Sequence, residues 1–264
     1  MNNKHPYHLV NPSPWPISVS AALLGLTIGG VSYFHSFNNG IYLLTSSFIL
    51  LAILAGFWWR DLIREGTYLH NHTKEVLLGL RLGFILFIVS EVMFFFSFFW
   101  AYFHSSLSPN IEIGSQWPPF ALEVIGLALP VVNTVILLTS GATITVAHLA
   151  ILRNKKQIAI ESLIATIVLA LVFTAIQMYE YRHAPFSISD GIYGSVFYML
   201  TGFHGIHVLI GTIFICVQFV RLTKDHLLSN SHLGFEACAW YWHFVDVVWL
   251  LLFVIVYAYG SNAL

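Results

Sequence analysis

An acidic side chain, Glu91, lies inside the apolar run SEVMFFFSFFW, which covers residues 90–100. An ionised side chain at the centre of a membrane helix costs at least about 2.5 kcal/mol, so a carboxylate there needs a partner. Its helical neighbours three and four positions away are all apolar: Phe87, Ile88, Phe94 and Phe95. Glu91 therefore either pairs with a facing helix or stays protonated. Such a carboxyl group is consistent with a proton-related or lipid-related role and with a structural hydrogen bond.

Histidines form the second group of side chains that could do chemistry. His204 and His207 lie three residues apart in TGFHGIH, and His243 precedes Asp246 by three residues in WYWHFVDVVW. Imidazoles inside a membrane could ligate haem or copper, but a haem held by two histidines requires small residues beside the porphyrin. Bulky residues stand there instead: Phe203, Trp240, Trp242 and Phe244. We therefore favour structural polar roles for these four side chains, as hydrogen-bonding groups between helices and without a metal.

The elements that position these side chains follow from the composition. The 264 residues are 58% hydrophobic and 9% charged, whereas an ordinary soluble domain has about 25% charged residues. A membrane-spanning helix requires about 20 apolar residues, and the runs here are continuous, unlike the alternating strands of a membrane barrel. We predict an all-α membrane protein with seven transmembrane helices, at residues 15–36, 41–59, 76–105, 127–152, 157–183, 191–220 and 233–259.

The distribution of positive charge predicts the orientation in the membrane. The formal net charge is −1, so no bulk attraction to nucleic acid is implied and we expect no nucleic-acid partner. Most lysines and arginines fall in the N-terminal tail and in the loops after helices 2, 4 and 6: Lys4, Arg60, Arg64, Lys74, Arg153, Lys155, Lys156, Arg221 and Lys224. Only Arg182 lies clearly on the opposite side. This asymmetry places the N-terminus in the negatively charged compartment and the C-terminus, after seven crossings, on the other side.

Two polar segments interrupt the apolar runs. The segment at residues 58–75 is rich in donors for a lipid phosphate, although a solvated loop explains it equally well. The segment at residues 105–123 has several prolines and is predicted to be an ordered loop on the opposite side. Phosphate-binding glycine loops, zinc-ligand spacings and catalytic nucleophile motifs are absent from the sequence. The chain therefore offers no self-contained active site.

Several motifs together carry a family resemblance: YHLVNPSPWPI, WWRDLIRE, SEVMFFFSFFWAYFHSSLSP, SDGIYGSVFY, TGFHGIH and GFEACAWYWHFVDVVWL. In order from residue 7 to about residue 259, they resemble subunit III of mitochondrial cytochrome c oxidase. The resemblance implies a core subunit that binds no haem and no copper of its own. Such a subunit belongs to a proton-translocating oxidoreductase of the respiratory chain, which transfers electrons from cytochrome c to oxygen.

The resemblance also implies partners and a location. The haem and copper lie in partner subunits, and subunit I is the main contact, together with other oxidase subunits and a respiratory supercomplex. The implied role is to stabilise subunit I, to bind structural phospholipids and to support proton uptake. The implied location is the mitochondrial inner membrane, with the N-terminus in the matrix and the C-terminus in the intermembrane space.

The fold implied by the resemblance is a V, in which a lipid-filled cleft separates helices 1–2 from helices 3–7. We expect a single membrane domain over residues 1–264, with the tail, helices 1–2 and the polar loop in 1–75 and helices 3–7 in 76–264. Six residues correspond to lipid head-group contacts: Trp59, Arg64, Glu65, His72, Arg221 and His226. Glu91 corresponds to the family's intramembrane carboxylate. We expect it to be mostly protonated, to face the cleft or subunit I, and to fix lipid or helix packing.

Two other functions stay open on the residues alone. One is an independent haem-binding membrane cytochrome that uses His204, His207 and His243. The other is a proton-coupled transporter that uses Glu91, Asp246 and the histidines. The sequence shows neither the inverted repeats nor the paired interrupted helices that many transporters have, which argues against the second.

Overall fold

The structure is a computed structural model that describes residues 6–119 and 122–261, so Lys4 lies outside the described residues. Seven α-helices in these ranges are long and apolar enough to cross a membrane. They are α1 (Trp15–Phe34), α2 (Gly40–Thr67), α3 (Lys74–Leu107), α4 (Ala128–Leu152), α5 (Lys156–His183), α6 (Gly191–Thr223) and α7 (Leu233–Leu252). The described residues contain no β-strand, only an isolated bridge between Leu228 and Ser231. The predicted all-α class and its seven helices are confirmed.

The end of α2 differs from the prediction. The sequence places a loop from residue 58 onward, but the helix continues to Thr67 and carries Trp59, Arg64 and Glu65 within it. The prediction is wrong here because it ends the helix where the apolar run ends. Arginine, leucine and glutamate are good helix formers, and Arg64 in the last turn interacts favourably with the helix dipole. Only residues 68–73 separate α2 from α3.

The other predicted loop is confirmed in part. Helix α3 continues to Leu107, and a short 3₁₀ turn follows at Ile111–Ile113. Gly114, at φ +83°, ends this turn in the left-handed region that favours glycine. The predicted loop at 105–123 includes residues 120 and 121, which lie outside the described residues.

The chain divides into two compact units, Met1–Leu80 and Arg81–Leu264. In the first unit α1 packs against α2 through small residues. A Cβ added at Gly29 would lie 2.6 Å from the backbone nitrogen of Leu44, and one added at Gly25 would press on the side chain of Ser47. Small residues let two helix backbones approach closely, which is how helices associate in lipid.

The second unit is built around α7. Its tryptophans Trp242 and Trp249 are fully buried, and both α4 and α6 contact α7. Helix α7 continues as a π-helical segment, Phe253–Ala258, and a 3₁₀ turn, Tyr259–Ser261. Buried aromatic side chains therefore form the centre of this unit.

Hydroxyl groups of α4 join it to its neighbours. The indole Nε1 of Trp242 donates to Ser140 Oγ at 3.0 Å, and that of Trp249 donates to Thr134 Oγ1 at 3.0 Å. Thr143 and Thr166 on α5 share a hydrogen bond of 2.7 Å. These bonds satisfy polar groups that would otherwise be unpaired in an apolar interior, and they hold α4 against α5 and α7.

Candidate functional site

The carboxyl group of Glu91 is bonded to α6. Its Oε2 lies 2.8 Å from Nε2 of His207, and the side chains of Glu91 and His207 are 22% and 11% exposed. The two residues are 116 positions apart in sequence, so no local pattern on α3 indicates the partner. The sequence left open whether Glu91 has a partner on a facing helix. The structure shows such a partner, His207 on α6.

A second hydrogen bond fixes how protons are arranged in this pair. His207 Nδ1 donates to the carbonyl oxygen of Phe203 at 2.7 Å, because a carbonyl can only accept. Nε2 of a neutral His207 is then an acceptor, and Glu91 must be the protonated partner. With a doubly protonated His207, Glu91 is the carboxylate. Either way one proton lies between Glu91 Oε2 and His207 Nε2, and the pair can hold that proton within a membrane-spanning helix.

Aromatic side chains surround the pair. The ring of Phe95 meets that of His207 edge-on at 5.0 Å between centroids, and the ring of Tyr241 is stacked on it at 6.3 Å. Phe94 lies 6.2 Å from the same ring. Such an apolar shell limits access of water and strengthens the hydrogen bond inside it.

The other histidine of α6, His204, has a different environment. It is completely buried, and its Nε2 donates to the backbone carbonyl of Val245 on α7 at 3.3 Å. The ring is packed between Phe173 at 5.8 Å and Trp249 at 5.2 Å. This hydrogen bond joins α6 to α7.

His243 and Asp246 lie next to each other on α7. His243 Nδ1 is 3.8 Å from Asp246 Oδ2, and its Nε2 is 3.3 Å from Thr145 Oγ1 on α4. Asp246 is buried against Gly141, whose missing side chain makes room for the carboxylate. The three histidines of α6 and α7 thus have three different partners. None of them belongs to a group of three metal-ligating side chains within residues 6–119 and 122–261.

In the first unit, the expected head-group residues lie along the end of α2 and just after it. Trp59 and Arg64 are largely exposed, and the Arg64 guanidinium is 3.8 Å from Asp61. Glu65 and His72 are half-buried, and each offers a polar atom within 4.8 Å of the other and of His8. The structure therefore brings Glu65 and His72 together.

Asp61 is a residue of this region that the sequence did not single out. Its Oδ2 accepts a hydrogen bond of 2.8 Å from the indole of Trp15, and its Oδ1 pairs with Arg60 at 2.9 Å. Trp15 also stacks on Phe57. The signal for this contact is an interfacial tryptophan at the start of one helix and an acid at the end of the next.

The two expected head-group residues of the second unit are close together at the end of α6. The His226 backbone N–H donates to the carbonyl of Arg221 at 2.9 Å. Burial lowers the pKa of His226 below its ordinary value, and the neighbouring Arg221 and Lys224 lower it further. His226 thus favours its neutral form, so the positive charge at this position comes from Arg221 and Lys224. The Nε of Arg221 is buried without a hydrogen-bond partner among the described residues.

A buried acid at the opposite end of the second unit was also missed. Glu180 on α5 accepts a hydrogen bond of 2.6 Å from the hydroxyl of Tyr257, and both residues are buried. The sequence around it, YEYRH, is typical of a helix end at the membrane surface, and Tyr257 is 77 residues away. Burial of Glu180 therefore depends on tertiary packing that no local pattern reveals.

Comparison with known proteins places these features in a family. The family model for cytochrome c oxidase subunit III matches residues 5–261. Proteins named cytochrome c oxidase subunit 3 are similar over nearly the full chain. That of Arabidopsis thaliana is 57% identical over 261 residues, 98% of each chain. That of Prototheca wickerhamii is 57% identical over 98% of this chain and 99% of its own. That of Marchantia polymorpha is 57% identical over 99% of both.

Proposed function

This chain belongs to the cytochrome c oxidase subunit III family, and we propose that within the oxidase it stabilises subunit I, binds structural phospholipids and supports proton uptake. It is a multi-pass membrane subunit of a respiratory oxidoreductase and has no redox centre of its own. The observation that carries the proposal is the family match over residues 5–261. That match does not favour an independent haem-binding cytochrome or a proton-coupled transporter.

The bracing role is supported by the hydrogen bonds of the intramembrane polar groups. Glu91 is paired with His207 and His204 with Val245, so these side chains join helices of the second unit. A rigid bundle of this kind gives a neighbouring subunit a fixed surface to pack against. We infer that the haem and copper of the enzyme lie in partner subunits and that subunit I is the main contact.

Phospholipid binding is supported by donors that suit a phosphate group. The Arg64 guanidinium is 59% exposed and only loosely paired, and Trp59 beside it can lie at the head-group level. In the second unit, the orphaned Nε of Arg221 is a donor that a phosphate oxygen can accept. In the first unit, Glu65 and His72 offer further polar atoms within 4.8 Å of each other. In the second unit, His226 is bonded through its backbone N–H to Arg221.

The remaining parts of the proposal rest on the family resemblance. They are a mitochondrial inner-membrane location with the N-terminus in the matrix, a single membrane domain over residues 1–264, and a lipid-filled cleft between helices 1–2 and helices 3–7. Contacts with other oxidase subunits and with a respiratory supercomplex belong to the same group. The role in proton uptake rests on the same resemblance.

Lipid analysis of the purified complex tests the phospholipid role. We expect the variants Arg64→Gln and Arg221→Gln each to lose tightly bound phospholipid, measured by mass spectrometry after extensive detergent washing. Arg153→Gln is the matched control, because Arg153 is an exposed cation at the end of α4 and is not among the expected head-group residues. Equal phospholipid content in all three variants and the unmodified complex would contradict the proposal.

A further inference from the structure

Three side chains of types that can ligate a metal lie together where α4 ends and α7 begins. They are His148 in the last turns of α4, His232 immediately before α7, and Glu236 in the first turn of α7. One potential ligand atom from each lies within 4.8 Å of the other two. None of them is among the residues assigned above to lipid binding or to the pairing of α3 with α6.

The start of α7 fixes two of the three. His232 and Glu236 are four residues apart, which places them on one face of the helical turn. The backbone carbonyl of His232 accepts hydrogen bonds from the N–H groups of Phe235 and Glu236, at 2.8 and 3.1 Å. The geometry of this pair is thus set by the backbone and is not a chance approach of flexible side chains.

In the neutral form of His232, a ring nitrogen and a carboxylate oxygen of Glu236 face each other as two hydrogen-bond acceptors. Its Nδ1 donates to the carbonyl of Leu228 at 3.0 Å, so in a neutral ring Nε2 carries the lone pair. That Nε2 lies 3.2 Å from Oε1 of Glu236, which is also an acceptor. Two lone pairs at this distance are stable only with a proton or a cation between them. A carbonyl that orients the distal nitrogen of an imidazole is the usual outer partner of a metal-binding histidine.

His148 supplies the third nitrogen donor. Its ring lies 5.5 Å from that of His232, at an angle of 60°. Its Nε2 is buried and has no hydrogen-bond partner among the described residues. A buried polar atom without a partner is costly, so it requires an explanation that the hydrogen bonds of the protein do not provide.

Arg81 on α3 is the outer partner of the carboxylate. Its guanidinium contacts both oxygens of Glu236, at 2.8 and 3.1 Å. Ligating carboxylates are commonly held in this way by a second hydrogen-bonding group. The positive charge of Arg81 also repels a cation, so we expect weaker binding than in a structural zinc site.

From this geometry we propose that His148, His232 and Glu236 bind one Zn²⁺ ion. Two imidazoles and one carboxylate are a donor set that zinc accepts, with water in the fourth position. Mg²⁺ and Ca²⁺ prefer all-oxygen sites and are poorly suited to two imidazole ligands. The bound ion would link the end of α4 to the start of α7, two elements that are 80 or more residues apart in the chain.

Equilibrium dialysis of the purified complex against radioactive Zn²⁺ at buffered free concentrations tests the proposal. We expect the unmodified complex to bind one Zn²⁺ more per chain than the variants His148→Gln and Glu236→Gln, and an excess of Mg²⁺ not to displace it. His183→Gln is the matched control, because His183 is an exposed histidine at the far end of α5. Its zinc stoichiometry should equal that of the unmodified complex. Equal stoichiometry in His148→Gln and the unmodified complex would overturn the proposal.

A second measurement requires no variant and so does not depend on whether one folds. Zn²⁺ should slow amide hydrogen exchange several-fold in the segment 228–237 of the unmodified complex, and Mg²⁺ should leave it unchanged. The segment around His183 serves as the internal reference. Exchange in 228–237 that is the same with and without Zn²⁺ would also overturn the proposal.

Discussion

The packing of α1 against α2 in the first unit differs in kind from the packing of α3 within the second. Helices α1 and α2 meet through glycine and serine. A Cβ added at Gly29 would lie only 2.6 Å from the backbone nitrogen of Leu44. Helix α3 meets α6 and α7 through large rings, with Phe94 and Phe203 5.0 Å apart and Phe87 stacked on Tyr241 at 6.4 Å. Each contact also includes a carboxyl group, but in different places. In the α3 contact Glu91 is bonded to His207 inside the membrane span, whereas Asp61 is bonded to Trp15 near the ends of α1 and α2.

The difference shows two ways to join helices in lipid. Burial of apolar surface gives little driving force there, because lipid tails are as apolar as the side chains. The α1–α2 interface relies on backbones that approach closely, so it should be sensitive to added volume. The α3 interface relies on filled space and on polar pairs, Glu91 with His207 and Arg81 with Glu236, so it should be sensitive to removed volume and to an unpaired polar group.

Removing a ring from the α3 interface should have the largest effect. Phe95 is 2% exposed and contacts both His207 and Phe244, so Phe95→Ala leaves a cavity that its neighbours cannot fill. We expect a loss of about 3 kcal/mol in the free energy of unfolding, measured by denaturant titration in detergent. Phe96→Ala is the control, because Phe96 is 59% exposed and lipid or detergent can replace its ring. Equal losses in both variants would refute the filled-space account of this interface.

Adding volume to the α1–α2 interface should have the next largest effect. Gly29→Leu forces the backbones of α1 and α2 apart, and we expect a loss of about 2 kcal/mol in the free energy of unfolding. Gly30→Leu is the matched control, since a Cβ at Gly30 would meet no atom within 4 Å. Cross-linking of cysteines placed across the α1–α2 contact can report the separation directly. If Gly30→Leu destabilises the chain as much as Gly29→Leu, close backbone approach does not hold this pair.

Loss of a single hydroxyl partner should have a smaller effect. Thr134→Val removes the acceptor of the Trp249 indole, and we expect a loss of about 1 kcal/mol together with a shift in tryptophan fluorescence. Thr139→Val makes the same substitution elsewhere on α4. Among the described residues, the Thr139 hydroxyl bonds only to the carbonyl of Val135 on its own helix. That control should be close to neutral. A neutral Thr134→Val with an unchanged fluorescence spectrum would show that this hydrogen bond contributes nothing.

The helices could be predicted well because lipid imposes a simple rule. A span must satisfy its backbone internally and be apolar for about 20 residues, and the seven runs meet both conditions. The rule says nothing about where a helix ends outside the membrane. For that reason α2 was predicted to end near residue 59, although it continues through Arg64 to Thr67.

Only part of the candidate site could be predicted from the sequence. The cost of burying Glu91 indicates that it needs a partner, but His207 is 116 residues away and depends on how α3 packs. The same holds for Glu180 with Tyr257 and for His148 with His232. Sequence patterns report the polarity of one face of one helix. They do not report which face of a distant helix it meets.

The central claim is that the intramembrane acid braces the helices of a subunit that does no redox chemistry. A double-mutant cycle with Glu91→Leu, His207→Leu and the double variant, made in the purified oxidase, tests it most directly. We predict that each single variant is destabilised, that the double variant recovers about 1 kcal/mol or more through coupling, and that oxygen reduction by the double variant starts at the rate of the unmodified enzyme. Additive losses of stability, or a double variant that is stable but does not reduce oxygen, would contradict the claim.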